Sequence, residues 1–129
     1  MRDVYVAGIG ITTFTRLEYP LAEIASYASM MALKDAGITE VDQLYVANMG
    51  APRVNHQTAL ASAVADSLSL LPAGAAAIEN GPASGDAAIK AGFQAVASGR
   101  DDVVLVAGVE RMREVNNLEA TEFVATLTH

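Results

Sequence analysis

Apolar residues follow two alternating rhythms along this chain. Four short runs, rich in β-branched residues or small apolar ones, predict strands: Asp3–Ile9 (DVYVAGI), Leu44–Asn48 (LYVAN), Ala75–Glu79 and Val103–Val109 (VVLVAGV). Between them the spacing turns helical. Leu21, Ile24, Ala25, Ala28 and Ala32 form one stripe over Leu21–Ala36, opened by Pro20 and stopped by Gly37. Leu60, Ala61, Val64, Ala65 and Leu68 share a face within His56–Leu70, and a third helix is predicted over Gly85–Ser98, closed by Gly99. The order is β-α-β-α-β-α-β. Strands apolar on both faces that alternate with helices predict an α/β fold, a mostly parallel sheet covered by helices.

The third helix departs from the amphipathic norm. Asp86, Lys90, Gln94 and Ser98 lie four apart in one narrow polar stripe, and the rest of the circumference is small or apolar, including Ile89, Phe93 and Val96. A helix apolar over most of its surface is built to be covered on more than one side. A single sheet covers one side only, so a second protein surface is expected against Gly85–Ser98.

Composition narrows the function classes. At 129 residues and 52 % apolar, the chain is one domain with a real core. A net charge of −7 argues against nucleic acid and against an anionic membrane surface as partners. The sequence has no cysteine, which removes disulfides, thiolate metal sites and thiol catalysis. The longest apolar stretches fall short of the roughly 20 residues a spanning helix needs, and MRDVYVAGIG is too short an apolar run for a signal peptide. A cytoplasmic chain is expected.

Several motifs fail on inspection. Gly8 and Gly10 follow a predicted strand, but Thr13 stands where a dinucleotide fingerprint needs its third glycine. GAPRVNHQT (50–58) lacks the Gly-Lys-Ser/Thr ending of a phosphate loop. His56 and His129 are the only histidines, too few for a metal site, and His56 is expected in the first turn of its helix. Glu110, Arg111 and Met112 follow the last strand at the carboxyl edge, where open α/β sheets place ligands; a solvated charge pair is the alternative reading.

The remaining candidate is the turn in IENGPASGDAAIKAGFQAVASG (78–99), where a strand runs into a helix. Ser84 is its one reactive side chain. The G-x-S-x-G pattern needs glycines where Pro82 and Asp86 stand, and Ser84 also sits where an N-cap is expected, so the cap reading is favoured.

VYVAGIGITTFTR, LKDAGIT, LYVANMG, IENGPASG, FQAVASG and VVLVAGVERM together resemble the thiolases, in particular the archaeal and lipid-transfer-protein type of acetyl-CoA acyltransferase. The resemblance covers nearly the whole chain and implies the N-terminal α/β half of that fold over 1–113, with 114–129 as the start of a loop-domain-like segment. In that family the elbow typically reads Glu-Asn-x-Cys-x-Ser-Gly. Glu79, Asn80, Ser84 and Gly85 match, and the cysteine position falls on Pro82. The resemblance therefore implies a thiolase-like subunit or fragment of an acyl-CoA carbon–carbon bond-forming or -cleaving enzyme that itself lacks the nucleophile. A subunit of a cysteine-independent, thiolase-like aldolase acting on a β-hydroxyacyl-CoA, and a non-catalytic structural partner, are the alternatives. It further implies a CoA thioester as substrate without any resident cofactor or metal. The substrate-pocket candidates are Asn80, Gly81, Pro82, Ser84 and Met112. The implied partner is a second chain, either a C-terminal thiolase half or a second copy of this one.

Overall fold

The structure, a computed structural model, describes residues 1–127; Thr128 and His129, and with them the histidine singled out above, lie outside the described residues. Eight elements follow one another: α1 (Leu21–Ala36), β1 (Gln43–Ala47), α2 (Ala51–Val54), α3 (Leu60–Ser67), β2 (Gly74–Ile78), α4 (Ser84–Ala97), β3 (Val104–Gly108) and α5 (Asn117–Ala125). The strands form a parallel sheet in the order β2-β1-β3, with Leu44 level with Ala75 and Leu105.

The central strand explains the layering. Leu44 and Val46 point to one face, where they meet Leu21, Ala25, Leu60, Ala61 and Val64 of α1 and α3. Tyr45 and Ala47 point to the other and pack under Ala88 and Ala95 of α4. A strand buried on both faces cannot alternate polar with apolar, which is why LYVA reads as an unbroken run. The result is a three-layer sandwich of α1 and α3, the sheet, and α4.

Local signals set the helix ends. The Pro20 carbonyl accepts from the Ile24 N–H, Glu23 and Lys34 complement the helix dipole of α1, and Gly37 adopts φ +67° to end it. On α4 the inner face is Ala88, Gly92 and Ala95; a Cβ on Gly92 would come within 2.9 Å of Val106 Cγ2, so the missing side chain is what lets α4 lie this close to β3. Its outer face carries Asp86, Lys90 and Gln94 but also Ile89 and Phe93, which are 63 % and 48 % exposed. The apolar outer surface expected of this helix is present.

Two sequence expectations are corrected. Asp3–Ile9 is extended but pairs with no strand, and Tyr5 and Val6 are 81 % and 85 % exposed. The segment lies along α1 instead: a Cβ at Gly10 would fall 2.2 Å from the Ala28 carbonyl oxygen and one at Gly8 2.5 Å from that of Ala32, while the Ile9 N–H donates to Asp35. Its alternation is that of a strand, but a strand also needs an edge to join. The helix predicted over His56–Leu70 is shorter, Leu60–Ser67, because His56 and Ala59 take positive φ (52° and 51°) and break the path. His56 is thus outside α3. One helical turn, α2, forms earlier with Pro52 in its first turn, where a missing N–H costs nothing.

Beneath the sheet, at its amino-terminal edge, Asp42 accepts from the Asp102 and Val103 N–H groups at 2.8 and 2.9 Å, and these two bonds hold its pKa below the ordinary 3.8. A depressed carboxyl contributes stability that is fully present above its ordinary pKa and is lost as pH falls through its folded-state value. The stability difference between the wild type and Asp42→Asn, measured by urea unfolding, is therefore expected to be largest near neutrality and to close on acidification below about pH 3.8. A difference that stays constant across that range contradicts the assignment.

Candidate functional site

The three parallel strands end on the same edge, and the segments that leave them there make the site. β1 passes into Asn48, β2 into the elbow Glu79–Gly85, and β3 into Val109–Met112.

Asn48 ties these exits together. Its backbone N–H donates to the Ile78 carbonyl at 3.2 Å, its Nδ2 to the Val109 carbonyl at 2.8 Å, and its Oδ1 accepts from the Ala51 N–H at 2.6 Å. One buried residue, through its backbone and its side chain, thus links the ends of all three strands to the start of α2. Glu110 completes the tie: its carboxylate accepts from the Met49 and Gly50 N–H groups at 2.9 and 3.1 Å. A Cβ at Gly50 would stand 2.8 Å from Glu110 Oε1, so a larger residue there would displace the carboxylate. Glu110 is exposed, and its carboxylate is engaged with the neighbouring loop.

The elbow is closed on itself. The Ser84 hydroxyl accepts from the Asn80 N–H at 2.8 Å and donates to the Gly81 carbonyl at 2.6 Å. The Ala83 and Ser84 N–H groups donate back to the Asn80 and Gly81 carbonyls, both at 3.1 Å. Gly81 adopts φ +54°, which favours glycine, and its N–H donates to Glu79 Oε1 at 2.6 Å. The N-cap of α4 is Ala83, with no side-chain cap bond. The expectation that Ser84 is the cap is therefore corrected. Ser84 is the first residue of the helix, and its hydroxyl reaches backwards into the turn rather than forwards to the free N–H groups of α4. With its proton and a lone pair so committed, and the side chain buried, Ser84 is not poised as a nucleophile. Pro82 stands exposed between Gly81 and Ala83.

Asn80, Gly81, Pro82 and Ser84 thus share one turn, whereas Met112 stands half-buried in the segment beyond β3. A cleft lies elsewhere. About 500 Å³ in volume, it opens between Pro20–Leu21, the α2–α3 loop with Asn55, His56 and Gln57, and Arg111 and Glu114. Arg111 donates to the Tyr19 carbonyl and pairs with Glu114, and Asn55 Nδ2 donates to the Arg111 carbonyl at 2.9 Å. Arg113 binds Glu18 through two bonds of 2.6 and 2.7 Å, which hold the Glu18 carboxyl below the usual carboxylate range. Sequence reasoning did not single out Asn48; an asparagine directly after a buried strand, three residues before a helical turn, is the signal that marks it.

The family model for the N-terminal domain of thiolase matches residues 4–129. Acetyl-CoA acetyltransferases of Methanothermobacter thermautotrophicus and Methanocaldococcus jannaschii are each 37 % identical over 129 residues, which is 98 % of this chain but 33 % and 32 % of theirs. The chain thus spans about a third of the length of these relatives. Among solved structures, 3-oxoacyl-(acyl carrier protein) synthase III of Pseudomonas aeruginosa superposes with a TM-score of 0.60 at 22 % identity, over 70 % of this chain and 28 % of that one. The corresponding synthase of Aquifex aeolicus gives 0.61 at 19 %, over 71 % and 30 %. The second pair of likenesses establishes the fold. The first pair and the family model establish the family: this chain belongs to the thiolase N-terminal domain family.

Because the Ser84 hydroxyl both donates and accepts, Ser84→Ala is expected to cost about 1–2 kcal/mol of stability, the range for losing a largely buried hydrogen-bonding group. Urea unfolding reads this directly, and an unchanged midpoint would show that the turn holds without the bridge.

Proposed function

We propose that this chain is a thiolase-like subunit or fragment of an enzyme that forms or cleaves carbon–carbon bonds in acyl-CoA thioesters, and that its own elbow carries no acyl group. The observation that carries the reading is Pro82. It sits exposed in the turn between β2 and α4, two residues before Ser84, where the family's elbow places its cysteine. A thiolate there would gain from the positive end of α4; a proline ring has no atom that attacks a thioester. Ser84 does not substitute for it, because its hydroxyl is held within the turn. In this reading the elbow keeps its shape for the fold and for the wall of an acyl-CoA pocket, to which Asn80, Gly81 and Met112 also contribute. The reacting groups are supplied by a further part of the enzyme, outside residues 1–129.

The same reading assigns that further part a place. The outer face of α4, with Ile89 and Phe93, is the surface expected to meet either a C-terminal thiolase half or a second copy of this chain. The apolar side chains of the amino-terminal segment, Tyr5, Val6, Ile9 and Ile11, add a second exposed patch. Lone chains seldom leave so much apolar surface in water.

Two experiments test the proposal. Incubated with acetyl-CoA or acetoacetyl-CoA, the 129-residue chain is expected to keep its intact mass; a stoichiometric acetyl increment on Ser84 would overturn the assignment of the elbow. Sedimentation of the purified chain at micromolar concentration is expected to give a dimer, or a complex with its partner when the two are produced together, through an interface above roughly 1,000 Å². A clean monomer that binds no hydrophobic dye contradicts the partner surface.

A further inference from the structure

The elbow contains a second piece of chemistry that acyl transfer does not use. Asn80 is exposed, and its side-chain amide makes no hydrogen bond among the described residues. The next residue is glycine, so no side chain shields the backbone nitrogen that follows. That nitrogen is the natural nucleophile toward the Asn80 side-chain carbonyl, because attack closes a five-membered ring. A neutral amide N–H is a poor nucleophile until its proton is taken. Here the Gly81 N–H points at a carboxylate, Glu79 Oε1, at 2.6 Å.

We propose that Asn80 is a site of spontaneous covalent modification, in which the Gly81 backbone nitrogen displaces the Asn80 side-chain amide with Glu79 as the base. Glu79 accepts the proton from the Gly81 nitrogen as the new bond to Asn80 Cγ forms. The tetrahedral carbon then collapses, the Cγ–Nδ2 bond breaks, and the proton leaves with the amine as ammonia. The cyclic imide that remains is opened by water at either carbonyl, giving aspartate or isoaspartate at position 80. No oxidant or cofactor is needed, and atoms balance with water in and ammonia out.

The turn is well placed for this chemistry. The bonds from Ser84 to the Asn80 N–H and the Gly81 carbonyl, and from the Ala83 N–H to the Asn80 carbonyl, hold the backbone on both sides of the reacting bond. The base stays beside its proton as a result. The product adds a negative charge next to Glu79, and in the isoaspartate form lengthens the main chain by one methylene inside a turn closed by those same bonds. Modification therefore alters the one segment where the strand β2 hands over to α4.

The test compares the folded chain with the chain unfolded in urea, both near neutral pH, following the peptide that contains position 80 by mass and by chromatography against the Asn80→Asp variant. The folded wild type is expected to lose ammonia at least as fast as the unfolded chain. Glu79→Gln is expected to slow the folded rate by about tenfold or more, in line with the loss of a positioned general base, and to leave the unfolded rate unchanged. A folded wild-type rate below the unfolded rate overturns the proposal, as does a folded rate that Glu79→Gln does not change. If Glu79→Gln fails to fold, the ratio of folded to unfolded rates in the wild type decides alone.

Discussion

Everything at the carboxyl edge depends on Asn48. The three strands are short, five residues each, and each leaves the sheet into a different segment. Without a tie, three independent exits would splay. Asn48 is buried, and its amide is spent in both directions, on the Val109 carbonyl and the Ala51 N–H, while its backbone N–H holds the Ile78 carbonyl. A buried amide left half-paired would be costly, so the arrangement is stable only as a whole. Glu110 then fixes the loop that Asn48 begins. The elbow inherits its position from this tie, because it starts directly after Ile78.

The elbow is held by contacts among its own residues. Gly81 supplies the left-handed residue, and Ser84, the first residue of α4, closes the turn. None of these contacts needs a reactive side chain at the tip. The proline at position 82 is compatible with the turn because its missing N–H is not one the turn uses. The shape of this segment is therefore set independently of the side chain at position 82.

The outer surfaces keep apolar side chains exposed. The sheet is covered by α1 and α3 on one face and by α4 on the other, but α4 carries Ile89 and Phe93 on its outer face beside Asp86, Lys90 and Gln94, and the amino-terminal segment displays Tyr5, Val6, Ile9 and Ile11. Burying apolar area is the main favourable term in folding and association alike, so these side chains define where added surface would contribute most.

Much of this was legible in the residues. The α/β class, the bounds of α1 with its glycine stop, the buried stripe of α3 and the apolar outside of α4 all follow from periodicity, because burial on a helix or strand repeats at the period of the element. The amino-terminal run has the alternation of a strand, yet alternation states only which side chains share a face; whether an edge is there to receive it is a matter of tertiary contact, and here Gly8 and Gly10 lay the backbone on α1 instead. The helix expected from His56 was overrun by two residues in left-handed conformation, which no spacing announces. Ser84 was read as a cap from its position before the helix, and only the three-dimensional turn decided that its hydroxyl points back to Asn80 and Gly81. Asn48 and Glu110 are 62 residues apart in the chain. Their union is a consequence of parallel strands ending side by side, and a sequence records periodicity along one element, not which exits will meet.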